Sequence, residues 1–279
     1  INSAKDDAAG LQIASRLNAQ VRGQEAALYN SNNAMSMMQT AEGAFDEMTN
    51  IAYRMKELAT QAANGTNGAD EGIALGSEYL ALGDELASIM QNTSFGGTLL
   101  LADTTTTTVT AATGANGVPG VRVNTAIAAD GKFADTAGVT FQVGSSTAET
   151  LGVNVSAALN TLHGIIGTAD GSQAGLGDIS TQAKATAAAT SGMVKTDALI
   201  EAIGTARSAL GASMNRLDHT MNNVTNMKEN TQAAASTLMD ADFAAETSNM
   251  TKQQLLMNSG ISVLSTANST TQMIGSLLR

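Results

Sequence analysis

The chain has 279 residues, enough for one large domain or two ordinary ones, and a formal net charge of -11. Aromatic residues make up only 3%, with no Trp and 14 Met, so the bulky anchors of a compact core are scarce and helix-on-helix packing suits the composition better. The acidic balance argues against nucleic acid, which demands a basic face. The absence of Cys excludes disulfides and thiolate chemistry, and the sequence shows no run of roughly 20 predominantly apolar residues such as a membrane span needs.

From Ile1 to about Leu101 the text reads as helix. "AEGAFDEMTNIAYRMKELATQAANGTNG" sets Ala44, Met48, Ile51, Met55 and Leu58 at helical spacing and stops at Asn64-Gly65. "EYLALGDELASIMQNTSFGG" follows, with Leu82, Leu86 and Ile89 on one face and Gly96-Gly97 as its end. Gly72, Gly76 and Gly83 each weaken that helix by about 1 kcal/mol relative to Ala. The absence of proline from both flanks of Pro119, the single proline, permits long helices.

The middle differs in character, with 15 of the 27 glycines between Gly96 and Gly192. "DTTTTTVTAATGANGVPG" is a low-complexity loop or edge. "VRVNTAIA", "GVTFQVG" and "ETLGVNVS" are predicted as short strands, and Thr181–Gly192 as irregular. Helix resumes near Thr196. Leu199, Ile203, Ala206, Leu210, Met214, Leu217, Met221 and Val224 advance by three or four residues, as in a coiled-coil seam. A second stripe runs through Met257, Ile261, Leu264, Ala267, Thr271, Ile274 and Leu278, and leaves the chain ending on apolar residues with no obvious cover. The expected fold is mainly α: a long antiparallel helical rod or coiled-coil bundle from both chain ends, around a small middle region with a β-hairpin.

Nothing specifies catalysis, and neither a cofactor nor a metal site is expected. His163 and His219 have no neighbouring imidazole and suit structural or surface roles. HExxH, GxGxxG and GxxxxGK[ST] are absent, and "TADGSQAGLGD" fails the EF-hand pattern. The acid pairs Asp6-Asp7 and Asp240/Asp242 fit helix N-termini better than acid–base work.

The two ends carry a resemblance. "INSAKDDAAGLQIASRLNAQVRG" and "AMSMMQTAEGAFDEMTNIAYRMKELATQAANGTN" resemble the N-terminal helices of bacterial flagellin. "LGASMNRLDHTMNNV", "DADFAAETSNMTKQQLL" and the final "SLLR" resemble its returning helix and last segment, and "VTFQVGSSTAETLGVNV" is similar to the hairpin that many flagellins carry beside the rod. Residues 102–138 match no motif.

The resemblance implies an exported subunit that polymerises into the extracellular flagellar filament used for motility. It implies rod helices at 1–101 and 196–240, a variable Thr/Gly-rich insert at 102–138, a hairpin and irregular part at 139–195, and an inner-core helix at 241–279. Partners would be other copies of the chain, an export chaperone, and cap and hook-junction proteins. The subunit interface would be Met257, Ile261, Leu264, Ala267, Ile274, Leu277 and Leu278. Arg54, Leu58 and Glu78 match positions that flagellins present to the vertebrate innate flagellin receptor; Arg54 and Leu58, four apart, share a helix face. Family members begin with a further stretch of roughly 40 residues ahead of the motif at Ile1, and a chain without it is expected to be monomeric or irregularly oligomeric. A hook–filament junction protein is the alternative reading, and an enzyme lodged in the middle is argued against by the small insert and the missing HExxH.

Overall fold

A computed structural model describes residues 5, 7–101, 110–111, 122–123, 131–166 and 185–277. Its elements in chain order are helix α1 (Ala8–Ala62), α2 (Ala69–Asn92), strands β1 (Ser94–Phe95) and β2 (Thr98–Leu99), β3 (Thr110–Ala111) and β4 (Arg122–Val123), β5 (Val139–Gln142) and β6 (Thr150–Val153), then α3 (Ser156–Ile166), α4 (Ala185–Met239) and α5 (Phe243–Leu277). The mainly helical fold with small antiparallel hairpins is as the sequence predicts. Residues 102–109, 112–121 and 167–184, which include most of the Thr-rich stretch and the "TADGSQAGLGD" turn, lie outside the described residues.

The chain divides into two units: Arg22–Lys228, and Ile1–Val21 with Glu229–Arg279. In the first, α1 and α4 run antiparallel, and ion pairs mark the register. Lys56 pairs with Asp197, Arg207 with Glu42 at 2.9 Å and Asp46 at 3.1 Å, and Lys228 with Glu25 at 3.2 Å. Each step towards the N-terminus on α1 is matched by a step towards the C-terminus on α4.

The core lies between these helices and α2. Phe45, Met48, Met55 and Leu58 of α1 meet Tyr79, Leu86 and Met90 of α2 and Leu199, Ile203, Leu210 and Leu217 of α4, all fully buried. The predicted stripes on α1 and α4 are therefore the inward faces. Gly76 and Gly83 are also buried, at heptad spacing with Tyr79, Leu86 and Met90. Two of the three glycines expected to weaken α2 thus lie on its packed face.

Helix ends carry the acids as the charge argument requires. Asp7 Oδ1 accepts the backbone N–H groups of Ala9 and Gly10, and Asp242 Oδ1 those of Ala244 and Ala245. The pair Gly96-Gly97 does not end α2, which stops at Asn92; both have positive φ (58° and 83°) and form the two-residue turn joining β1 to β2.

Two sequence expectations fail in the middle. The stretch taken as irregular is helical from Ala185 onward, so α4 begins eleven residues before Thr196. Its Ala-rich first turns favour helix intrinsically without an apolar stripe to signal it. The region 139–195 also contains α3, which buries Leu159, Leu162 and Ile166. Asn154 prepares that helix: its Oδ1 accepts the Ser156 N–H, and its amide donates to the Thr136 carbonyl.

The hairpin β5–β6 pairs Val139 with Val153 and Gln142 with Thr150. The Gln142 amide group reaches the carbonyls of Gly144 and Ser146 at 2.8 and 2.6 Å and ties the loop shut. This loop lies against α1 at Gly23, where an added Cβ would come within 2.8 Å of the Ser145 Cβ. Of the remaining predicted strand "VRVNTAIA", Arg122–Val123 pairs with Thr110–Ala111, and 124–128 lie outside the described residues.

Candidate interaction surfaces

Two surfaces carry the residues singled out by sequence. The first spans α1 and α2. Arg54 projects from α1 and donates through Nε and Nη2 to Glu78 Oε1 of α2 at 2.9 and 2.7 Å, and through Nη1 to Glu57 Oε2 at 2.7 Å. These carboxylates hold the guanidinium's pKa above its usual value, Glu78 most strongly. Side-chain exposures of 44% for Arg54 and 47% for Glu78 leave both accessible.

Leu58 is placed otherwise. It is fully buried within the core. A four-residue step turns about 40° around a helix, which here suffices to carry the side chain from the rim to the interior. Of the three residues, only Arg54 and Glu78 present atoms to a partner.

Behind this surface Tyr79 anchors α2 to α4. The Thr196 hydroxyl donates to the Gly192 carbonyl at 2.7 Å, so the Tyr79 hydroxyl, 3.2 Å away, is the donor in their contact. Burial raises the Tyr79 pKa. Sequence reasoning missed this pair and the α1–α4 ion pairs. Opposite charges recurring in antiparallel register were the available signal, but it is visible only once the two helices are paired.

The second surface is α5. Its large apolar side chains face solvent: Phe243 at 81%, Leu255 at 67%, Met257 at 60%, Ile261 at 64%, Leu264 at 65% and Ile274 at 52% exposure. Ala267 is exposed as well; the Leu277 side chain and Leu278 lie outside what the structure describes. From Ser248 to Ile274 every residue is exposed. Within the same unit, the Asn18 side-chain amide approaches Met239 Sδ at 3.7 Å.

Of the histidines, His219 is exposed on α4, whereas His163 of α3 is 6% exposed. Neither ring nitrogen of His163 has a hydrogen-bond partner of good geometry. Burial lowers its pKa, and the nearby Leu159 carbonyl offsets this only in part. Among the described residues no group of three His, Cys, Asp or Glu could hold a metal ion, and no helix is long and apolar enough to cross a membrane.

A buried antiparallel helical core, in a chain that also carries a long helix with solvent-facing apolar side chains, defines a structural, assembly-type helical protein. Comparison with known proteins agrees. Residues 1–106 match the bacterial flagellin N-terminal helical region, and residues 193–278 match the bacterial flagellin C-terminal helical region. The chain is 34% identical to flagellin D of Vibrio anguillarum, across 100% of this chain and 90% of that protein. A crystal structure of Bacillus cereus flagellin aligns with a TM-score of 0.48 at 29% identity, covering 74% of this chain and 94% of that one. A structure described as a flagellar hook-associated protein from Vibrio parahaemolyticus aligns at 0.57 and 14% identity, over 84% and 99% of the two chains, which speaks to fold alone.

The chain belongs to the bacterial flagellins. It is a structural subunit of the extracellular flagellar filament, built by self-polymerisation, and not an enzyme.

Proposed function

We propose that the α5 stripe of Met257, Ile261, Leu264, Ala267, Ile274, Leu277 and Leu278 is the inner-core interface between filament subunits. One observation carries this reading: the side chains of Met257, Ile261 and Leu264 are 60–65% exposed on a helix with apolar residues at three- and four-residue spacing. Burying them against neighbouring subunits gains about 25 cal/mol per Å2 of apolar surface, repeated at every subunit of the polymer. An exposed stripe of this length is otherwise a solubility liability.

Seeded polymerisation of the chain carrying a family-like N-terminal helix, followed by electron microscopy, tests it. Ile261→Asp with Leu264→Asp places two charges on an already exposed face, so the folded core keeps its unfolding transition. Filament growth is expected to stop. Growth at the parent rate would remove α5 from the interface.

The other partners follow from family likeness: an export chaperone, the cap and the hook-junction proteins. A host receptor is included on residue type and placement. Arg54 and Glu78 form an exposed pair bridging two rod helices, and such a pair suits a docking partner that reads both charges. Leu58 would act there from beneath, by holding α1 in place. Receptor activation should fall with Arg54→Ala and with Glu78→Ala; activation equal to the parent's in both variants would end this part of the reading.

A further inference from the structure

The chain contains no cysteine, so its 14 methionine thioethers are its whole store of reduced sulfur. Two groups among them lie in sharply different environments, with the remaining six between these extremes. Met38, Met48, Met55 and Met90 are fully enclosed, and Met37 is 9% exposed. On α5, by contrast, Met250, Met257 and Met273 are each 60% exposed. Met250 lies seven residues before Met257, one heptad, on the face that continues through Ile261 and Leu264. Met273 is sixteen residues beyond Met257, about 160° around the helix and off that face.

We propose that Met250 and Met257 are oxidation sites at which a peroxide switches off assembly of the free subunit. The thioether sulfur attacks one oxygen of hydrogen peroxide and the O–O bond breaks. The sulfur keeps that oxygen as a sulfoxide, and the other leaves as water after proton transfer. Sulfur loses two electrons and the peroxide gains them, so no further reactant is needed. The product replaces a flexible apolar group by a strongly dipolar one that accepts hydrogen bonds. Such a group loses its water on entering an apolar layer that offers no donor. Oxidised subunits therefore fail to add, whereas a methionine already buried between subunits is shielded from the oxidant. The consequence for assembly rests on the reading of α5 as the subunit interface.

The experiment treats the folded chain with hydrogen peroxide and reads each methionine by peptide mass spectrometry. Met250, Met257 and Met273 are expected to oxidise together, with Met38, Met48, Met55 and Met90 slower by at least about ten-fold until the core unfolds. Uniform rates across the two groups would overturn the site assignment. Seeded polymerisation is then compared for the treated parent, for Met250→Leu with Met257→Leu, and for Met273→Leu.

Leucine is near methionine in volume, so the double variant should assemble and continue to assemble after peroxide. The parent and Met273→Leu should both stop. Loss of assembly in the treated double variant, or normal assembly of a parent carrying both sulfoxides, refutes the switch. The interface reading fails differently: untreated Ile261→Asp, Leu264→Asp chains would then polymerise normally, whatever the oxidation map shows.

Discussion

Within Arg22–Lys228, most apolar residues at three- and four-residue spacing on α1 and α4 are buried; on α5 the large apolar residues at the same spacing are more than half exposed. Leu210 and Leu264 illustrate the contrast, at 0% and 65% exposure. Both sit in seams of the kind that sequence periodicity detects. What differs is the partner: Leu210 has α1 opposite it in antiparallel register, and Leu264 stays open to solvent. Periodicity marks a face that needs covering and is silent about whether the cover lies in the same chain.

The largest test of that contrast substitutes one residue from each region. Phe45→Ala removes a ring from a site with 0% exposure and is expected to destabilise the Arg22–Lys228 unit by about 3–5 kcal/mol in denaturant unfolding. Leu264→Ala should change that unfolding by less than about 0.5 kcal/mol, while slowing seeded filament growth. Equal losses of stability at the two sites would break the comparison.

A smaller effect is expected at Gly138. Its φ is +71°, and an added Cβ would lie 2.7 Å from the Val153 carbonyl oxygen, so Gly138→Ala strains the entry to β5 both by conformation and by contact with rigid backbone. About 1–3 kcal/mol of stability should be lost, whereas Gly260→Ala, with open space around it on α5, should be neutral or slightly stabilising.

Thr196→Val keeps shape but removes one partner of the buried Tyr79 hydroxyl, at an expected cost of about 0.5–1.5 kcal/mol in thermal unfolding. An unchanged transition would mean that this contact adds nothing to the packing of α2 on α4.

His163 adds a dependence on pH. Its folded pKa lies below the ordinary value of 6.5 because burial disfavours the charged ring. Below pH 6.5 the unfolded chain takes up a proton that the folded chain refuses. Stability attributable to this site is therefore full above the unfolded value and declines as pH falls through 6.5 towards the folded value. The stability difference between the parent and His163→Leu should be flat above pH 7 and shift in favour of the variant on acidification.

The smallest effect on stability is expected at the Arg54–Glu78 pair, which is exposed and screened by salt. Arg54→Ala should leave the thermal transition in place. Its readout is receptor activation, and a large fall in stability would mean that the pair clamps α2 to α1 instead.

Much of this was legible in the sequence because helix formation is written locally. The stripes of α1 and α4, the stop at Asn64-Gly65 and the acidic caps at Asp7 and Asp242 each depend on residues within a few positions of one another. So do the paired strands Val139–Gln142 and Thr150–Val153, whose alternation and bracketing turns are short-range features. The first turns of α4 were missed because Ala and Thr there carry no amphipathic signal, and α3 because eleven residues hold only three turns of one.

Other features were decided by tertiary structure alone. Leu58 lies inside rather than beside Arg54, because the helix packed behind α1 sets where its buried arc ends. Gly76 and Gly83, which weaken an isolated helix, line a packed face of α2. The Lys56–Asp197 and Arg207–Glu42 pairs join residues more than a hundred positions apart. Local sequence determines which segments become helices and which face of each is apolar, since those follow from backbone sterics and side-chain order. Where each apolar face ends up, enclosed by α4 or left open on α5, depends on contacts distant in the chain, and only the folded arrangement supplies them.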